Sequence, residues 1–244
     1  MSEQELPRVA MVIMAHPDDA EFGCAGSVAA WAREGWDIYY VVCTDASGGG
    51  SDEATDVGPE ARRAMTETRK AEQREAARIL GLRDVIFLDR PDGLLEPTID
   101  LRRERVRLMR KYHPTRVLCQ SPERTWKPSY AIGRHHPDHL AAGEATIAAI
   151  YPACQNPWDF PELLEEGLQP HKVRELYVMG APEINHAVDI STTFDLKIAA
   201  LAAHVSQLGP RMAELETRIR SWAAETGKLY NMEYAEVFHR TENG

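Results

Sequence analysis

Cysteine is scarce in this chain, with 4 residues among 244. None of the four stands in a Cys-x-x-Cys pair, a spacing common in metal and redox sites. Cys43 and Cys119 lie inside apolar runs, where a thiol behaves as a small hydrophobic side chain. This usage favours reduced thiols and a cytoplasmic location over disulfides or cysteine–zinc ligation.

Long apolar runs and an excess of positive charge are also missing. No stretch approaches the roughly 18 apolar residues that a membrane span needs, and residues 1–8 lack the apolar core of a secretory signal. Lys and Arg number 28 against 38 Asp and Glu, which gives a net charge of −10. An acidic surface argues against nucleic acid or an anionic membrane as the main partner. A small neutral substrate is compatible with this charge balance.

The hydrophobic pattern predicts an α/β fold. Apolar runs without polar alternation suit strands that are covered on both faces, as in a parallel sheet; they lie at 8–15, 37–44, 84–88, 116–119 and 175–179. Helical patterns occupy 22–33, 60–80, 101–112, 140–151, 193–208 and 212–226. Strand–helix alternation with short connections predicts a sandwich of helices around the sheet. Because no linker or repeat interrupts residues 1–244, we expect a single domain.

Two short stretches concentrate the residues that carry chemistry. Ala15-His16-Pro17-Asp18-Asp19-Ala20-Glu21 follows the first predicted strand, and His135-His136-Pro137-Asp138-His139 follows the fourth. Imidazole and carboxylate together suit zinc, and also iron or manganese. Since parallel sheets place ligands at the carboxyl ends of their strands, we expect the two stretches to meet. Alone, an aspartate that caps a helix explains the first and a solvated loop the second; the pair favours a mononuclear metal site that activates water.

Two long loops are expected to leave the same edge of the sheet. The loop 45–59 holds Gly48-Gly49-Gly50, which we interpret as loop glycine because no lysine follows it as in a phosphate-binding P-loop. The loop 121–134 holds Trp126, which suits either stacking on a sugar face or a packing role. Long loops in a compact domain are often binding elements.

Taken together, the two motifs resemble those of the PIG-L/LmbE family of metal-dependent N-acetylglucosaminyl deacetylases. The opening motif of that family stands here as AHPDDAEFGCAGS at 15–27, and its second motif as HHPDH at 135–139. Weaker matches are Arg69-Lys70-Ala71-Glu72, Pro91-Asp92-Gly93 and KIAALAAHVSQ at 197–207. The resemblance implies a Rossmann-like three-layer sandwich with a mostly parallel sheet.

The resemblance also assigns roles to the residues of the two motifs. It implies His16, Asp19 and His139 as ligands of one divalent ion, Zn²⁺ first and Fe²⁺ or another ion as alternatives. It makes Asp18 the general base and His136 the acid or electrostatic partner. We expect Asp138 to assist catalysis by holding His136 in its cationic form.

The weaker matches point to substrate contacts. Arg69 and Asp92 match positions that resemble substrate-contacting residues in relatives. The alternative for Arg69 is an ion pair on a helix surface, and the alternative for Asp92 is a structural aspartate in a turn. The chain departs from the family pattern in two places. Some members carry Glu directly after the two aspartates, whereas Ala20 lies between Asp19 and Glu21 here, and Arg134 stands where several members carry a tyrosine. For His204, within an apolar helical pattern, we expect a packing role, with a contact on the substrate side as the alternative.

We therefore expect the protein to be a zinc-dependent hydrolase that removes an acetyl group from the amide nitrogen of an N-acetylglucosamine-type sugar or sugar conjugate. Two His and one carboxylate also form the facial triad of non-haem iron enzymes, although the strand–helix alternation disagrees with that class. A dinucleotide-binding protein is disfavoured because no G-x-G-x-x-G follows the first strand. A non-catalytic metal-binding protein is disfavoured by the spare carboxylate beside the ligands. The expected partner is a small N-acyl sugar, and a homo-oligomer is left open.

Overall fold

A seven-stranded mixed sheet forms the centre of the computed structural model, which describes residues 7–51, 53–126 and 135–244. The strands are β1 Val9–Met14, β2 Asp37–Thr44, β3 Asp84–Arg90, β4 Arg116–Gln120, β5 Glu175–Met179, β6 His186–Asp189 and β7 Ala235–Glu242. Their order is β3-β2-β1-β4-β5-β7-β6. The pairs from β3 to β5 are parallel, and β7 is antiparallel to both β5 and β6.

Helices connect the strands and cover the sheet. They are α1 Asp19–Gly23, α2 Ala25–Arg33, α3 Pro59–Leu80, α4 Ile99–Tyr112, α5 Pro137–Ala148, α6 Glu162–Glu165, α7 Phe194–Ala202, α8 Val205–Leu208 and α9 Met212–Leu229. A π-helical turn, Ala149–Cys154, extends α5, and a 3₁₀ turn, Gly209–Arg211, precedes α9. Among the described residues, no helix is both long and apolar enough to cross a lipid bilayer.

The central strand β1 divides the core into two layers. Met11 and Ile13 pack with residues of α4 and α5, whereas Val12 and Met14 pack with residues of α2, α3 and α7. Alternate side chains of a strand point to opposite faces, so a strand with helices on both sides must be apolar throughout. The apolar run at 8–15 therefore correctly indicated a strand covered by helices on both faces. The prediction of a three-layer α/β sandwich with a mostly parallel sheet is confirmed.

Some element boundaries differ from the sequence-based prediction. The strands β6 and β7 were not predicted from the sequence. Polar and apolar residues are mixed in both, because β6 lies at the edge of the sheet and β7 pairs antiparallel with β5 and β6. The predicted helix 22–33 is two helices that meet at Cys24. The predicted helix 193–208 is interrupted at His204, whose backbone, with φ −82° and ψ 59°, is not helical.

The carboxyl ends of the parallel strands lie at one edge of the sheet and carry both motifs. The first motif follows β1, and the second lies at the start of α5, after β4. The segments 45–50 and 91–95 leave β2 and β3 at the same edge. Residues far apart along the chain are thereby placed side by side.

Candidate metal and catalytic site

Three side chains from the two motifs converge at this edge. His16 Nδ1 lies 3.3 Å from His139 Nε2. The carboxylate of Asp19 lies 3.4 Å from His16 Nδ1 and 3.1 Å from His139 Nε2. The two imidazoles come from positions 123 residues apart. They meet because the parallel strands β1 and β4 are neighbours and end at the same edge of the sheet.

This triangle has the dimensions of a metal site. Zinc bonds to nitrogen and oxygen of about 2.0–2.2 Å at tetrahedral angles separate the ligand atoms by roughly 3.3–3.6 Å. The observed separations are 3.1–3.4 Å, with Asp19 facing His16 through Oδ2 and His139 through Oδ1. Two neutral imidazoles and one carboxylate are also the donors that zinc and iron accept. His16, His136 and His139 likewise have ring nitrogens near enough to one another to hold an ion. The described residues therefore fit a divalent cation.

The electrostatics of the triangle favour positive charge. Burial lowers the pKa of His16, but hydrogen bonds with Asp138, Asp19 and Asp92 outweigh burial and raise it to about 12. Burial raises the pKa of Asp19, but the two imidazoles outweigh it and hold that pKa far below its usual range. Carboxylates that stabilise a proton this strongly on His16 will also stabilise a cation bound at its Nδ1.

The far side of the His16 ring is held by two carboxylates. His16 Nε2 donates to Asp138 Oδ2 at 3.1 Å and lies 3.1 Å from Asp92 Oδ1. Asp138 is fully buried and also accepts from the backbone N–H groups of Gly93 and Leu95. A carboxylate on one ring nitrogen fixes the tautomer and leaves the lone pair of the other nitrogen for a metal.

Asp138 therefore differs from its expected role. We predicted that its carboxylate would hold His136 as a cation, but that carboxylate contacts His16 and the segment after β3 instead. Asp138 does contact His136, but through its backbone: the N–H of Asp138 donates a hydrogen bond to His136 Nδ1 at 3.2 Å, and the imidazole is the acceptor. In the first turn of a helix the N–H groups are free for this kind of capping.

His136 is the N-cap residue of α5, and this fixes its protonation. Because Nδ1 accepts a backbone hydrogen bond, the ring proton of the neutral form sits on Nε2. Burial, and next the charge of nearby His16, lower the pKa of His136. The geometry therefore presents His136 as a neutral N–H donor, with its ring centroid 4.8 Å from that of His16.

Asp18, the predicted base, is held in an uncommon backbone conformation. Its φ of 81° lies in the left-handed region that non-glycine residues seldom adopt. Arg69 Nη2 donates to Asp18 Oδ2 at 3.2 Å and to the carbonyl of Pro17 at 2.9 Å. Burial and the charge of Asp19 raise the pKa of Asp18 to about 7, against the opposing charge of Arg69. A carboxylate with a pKa near neutrality is suited to taking up and releasing a proton.

Arg69 and Asp92, the predicted substrate contacts, are engaged inside the protein. Arg69 is 5% exposed and pairs with Asp18, so the alternative of a surface ion pair within its own helix is wrong. Asp92 joins His16 to the loop 45–59, since its Oδ2 accepts from the N–H of Gly48 at 3.0 Å. In this structure both residues support the motif residues directly.

Two buried residues behind Asp18 were missed by the sequence reading. Gln73 Oε1 accepts from the N–H of Asp18, and Gln73 Nε2 donates to Glu21. Gln73 lies four residues after Arg69, on the same face of α3, so helical spacing from the Arg69 match is the signal that points to it. Glu21 stands within the first motif but was given no role, because its burial depends on helices distant in sequence.

A cavity of about 720 Å³ adjoins the triangle. Asp19 and His139 line one part of it, and Ile219, Trp222 and Ala223 of α9 line another. This volume lies within the range of about 300–1,000 Å³ that is typical of small-molecule sites. Arg134, which stands where several family members carry a tyrosine, lies outside the described residues, whereas Trp126 is described and is 69% exposed.

The chain resembles known deacetylases in sequence and in fold. A diacetylchitobiose deacetylase of Thermococcus kodakarensis is 32% identical over 227 residues, covering 93% of this chain and 80% of the relative. The crystal structure of the N,N'-diacetylchitobiose deacetylase of Pyrococcus horikoshii superposes with a TM-score of 0.84 at 26% identity and covers 96% of this chain and 84% of that one.

The fold also occurs in an enzyme of another class. The 4-carboxy-2-hydroxymuconate hydratase GalB of Pseudomonas putida KT2440 matches with a TM-score of 0.77 at 21% identity, covering 97% of this chain and 99% of that one. At this identity the match concerns the fold alone, so the family must be assigned from the sequence. The sequence pattern of the GlcNAc-PI de-N-acetylase family, PIG-L, matches residues 11–150, and with the relative at 32% identity this confirms the predicted deacetylase family: the chain belongs to PIG-L.

Proposed function

We propose that this protein is a zinc-dependent hydrolase that removes an acetyl group from the amide nitrogen of an N-acetylglucosamine-type sugar or sugar conjugate. The observation that carries the proposal is the triangle of His16, Asp19 and His139 beside the carboxylate of Asp18. Three protein ligands leave coordination positions open, whereas structural zinc sites are closed by four. Family membership supports an N-acetyl amide as the bond that is cleaved.

The residues of the chain divide the reaction between them. A divalent cation, which His16, Asp19 and His139 would hold, would supply Lewis acidity toward the acyl oxygen and the attacking water. Asp18 accepts the proton of the water whose oxygen attacks the acetyl carbon. As the carbon–nitrogen bond breaks, the proton on Asp18 passes to the leaving nitrogen. A free amine and acetic acid result, and the acid then ionises to acetate by releasing the second proton of the water. Arg69 keeps the Asp18 carboxylate in place during both transfers.

His136 stabilises the oxyanion as a neutral donor in this scheme. Its Nε2–H is free of the capping contact, which uses Nδ1 alone. The lowered pKa of His136 argues against a stored cation at this position. The role of proton donor to the amine therefore falls to Asp18, whose raised pKa allows it to carry a proton near neutral pH.

The cavity supports a substrate larger than the acetyl group. Its wall of Ile219, Trp222 and Ala223 offers apolar surface, and Trp222 is half exposed. Aromatic side chains present a flat face on which the C–H groups of a sugar ring can pack. We place the sugar in this cavity, with its acetamido group toward Asp19 and His139. The same proposal includes a single domain over residues 1–244 and action in the cytoplasm.

Release of acetate and of a primary amine tests the proposal. The protein is offered N-acetylglucosamine, N,N'-diacetylchitobiose and other N-acetylglucosamine conjugates, and both products are quantified before chelation, after chelation and after Zn²⁺ or Fe²⁺ is restored. We expect equal amounts of acetate and amine, loss on chelation and recovery with metal. An iron oxygenase would instead consume oxygen with a 2-oxo acid, and a purely structural metal protein would release neither product.

A further inference from the structure

We propose that residues 204–207, His204-Val205-Ser206-Gln207, form a positioning element for Asp18; we call them the support segment. The inference rests on the proposed function, in which Asp18 accepts the proton. These residues belong to the motif at 197–207 that the sequence singled out, and the reaction itself does not use them. Their contacts lead toward Asp18 along two separate routes.

The conformation of Asp18 requires support. A left-handed backbone at a non-glycine residue is strained and persists only when surrounding contacts impose it. The N–H of Asp18 donates to Gln73 Oε1 at 3.1 Å. Gln73 is 1% exposed, so this hydrogen bond is shielded from water. The position of the Gln73 amide therefore contributes to the position of Asp18.

The first route fixes that amide through Glu21. Gln73 Nε2 donates to Glu21 Oε1 at 2.9 Å, which sets the orientation of the amide so that its oxygen faces Asp18. The other oxygen of Glu21 lies 3.4 Å from His204 Nε2, within ion-pair distance but without hydrogen-bond geometry, and both side chains are fully buried. A buried carboxylate needs a partner of this kind to keep its place. His204, in the break between α7 and α8, therefore anchors the chain from Glu21 through Gln73 to Asp18.

The second route fixes Arg69. The N–H and Oγ of Ser206 donate to the carboxylate of Glu72 on α3, each at 2.7 Å. Gln207 Nε2 donates to the carbonyl of Gly49 at 2.8 Å. Gly49 packs directly on the Arg69 guanidinium, because a Cβ at this glycine would overlap Nη1 of Arg69. The support segment thus holds Gly49 against the arginine that binds the Asp18 carboxylate.

Substitutions along the first route test the inference. Gln73→Met keeps the length of the side chain and removes both hydrogen bonds, and His204→Leu removes the partner of Glu21. We expect kcat for N-deacetylation to fall about 10–100-fold in each variant, since small displacements of a catalytic group have effects of this size. KM and bound metal per chain should stay unchanged, because neither residue contacts the metal triangle or lines the cavity.

Two further variants guard against a trivial loss of folding. His204→Gln retains a donor toward Glu21 and should recover most of the kcat lost in His204→Leu. Ser206→Ala changes an exposed side chain, so it should fold normally and show a smaller fall in kcat. Thr146→Val serves as the control, because it removes the buried hydrogen bond of Arg105 to Thr146 Oγ1 without touching Asp18; it should lower Tm and leave kcat unchanged.

The inference fails if Gln73→Met and His204→Leu lower Tm as the control does but keep the kcat of the parent enzyme. Crystal structures of the two variants give a readout that needs no substrate. We expect Asp18 to leave the backbone conformation near φ 81° or to lose its contact with Arg69, and an unmoved Asp18 overturns the inference. If the parent enzyme releases no acetate, the proposed function fails, while the crystal structures still decide whether the support segment positions Asp18.

Discussion

Asp18 and the proposed metal ligands His16 and Asp19 lie close together in sequence but should respond differently to substitution. Asp18→Asn removes the proton acceptor and preserves the shape, so we expect bound metal to remain and turnover to fall about 10²–10⁴-fold. His16→Ala and Asp19→Ala remove corners of the metal triangle and should lose the metal as well. Metal analysis alongside acetate release measures both effects. Turnover near the parent value in Asp18→Asn would refute its role as the base.

The pH dependence of the reaction should also report on Asp18. Burial and Asp19 raise the pKa of Asp18 to about 7, and a nearby cation lowers it from there. A base works only when deprotonated, so kcat/KM should fall as pH is lowered through this pKa and level off above it. A profile from pH 5 to 9 measures the acidic limb, and Asp18→Asn should lack it. The same limb in the residual activity of that variant would assign it to another group.

Substitution of Asp138 tests whether the hydrogen bond to His16 Nε2 strengthens metal binding at Nδ1 of the same ring. Asp138→Asn weakens the acceptor for His16 Nε2 and turns an amide toward the N–H groups of Gly93 and Leu95. Changes to such outer partners typically weaken metal binding about 10–100-fold. Competition with a chelator measures the affinity. Arg78→Ala, which breaks an exposed pair with Glu75, is the control; equal affinities in both variants would contradict the assignment.

At the level of elements, the loop 45–59 determines the position of Arg69. A Cβ at Gly49 would overlap the guanidinium, whereas one at Gly50 would meet only Met65 at 3.9 Å. We therefore expect Gly49→Ala to displace Arg69 and lower kcat at least tenfold, and Gly50→Ala to behave as the parent enzyme. Steady-state kinetics on this matched pair decide the point. An equal loss in both would indicate that general stiffness of the loop, rather than contact with Arg69, is responsible.

The elements also mark how far periodicity carries a prediction. The runs that became β1, β2, β4 and β5 are apolar because helices cover both faces of the sheet, so their sequences alone identified them. The strands β6 and β7 pair antiparallel at the edge and keep polar residues, so nothing in their local pattern distinguished them from loop. The break at His204 was likewise missed, because the carboxylate that faces this buried side chain, Glu21, lies 183 positions earlier.

For the whole molecule, metal and stability should be coupled. A cation that binds the triangle of the native state and not the unfolded chain stabilises the fold by about 2.7 kcal/mol at a concentration of 100 times its Kd. Chelation should therefore lower Tm, and restored Zn²⁺ should raise it again, in parallel with activity. His139→Ala should show neither shift. A Tm that is insensitive to metal in the parent protein would contradict binding at these residues.

The sequence by itself determined the fold class and the identity of the clustered imidazoles and carboxylates, because apolar periodicity and short motifs are local properties of a chain. Only the tertiary structure decided which atoms face one another. It directed Asp138 to His16 instead of His136, paired Arg69 with Asp18, and placed His204 behind Glu21. These choices depend on hydrogen bonds between elements that the sheet brings together, and the burial that decides them is a property of the packed molecule.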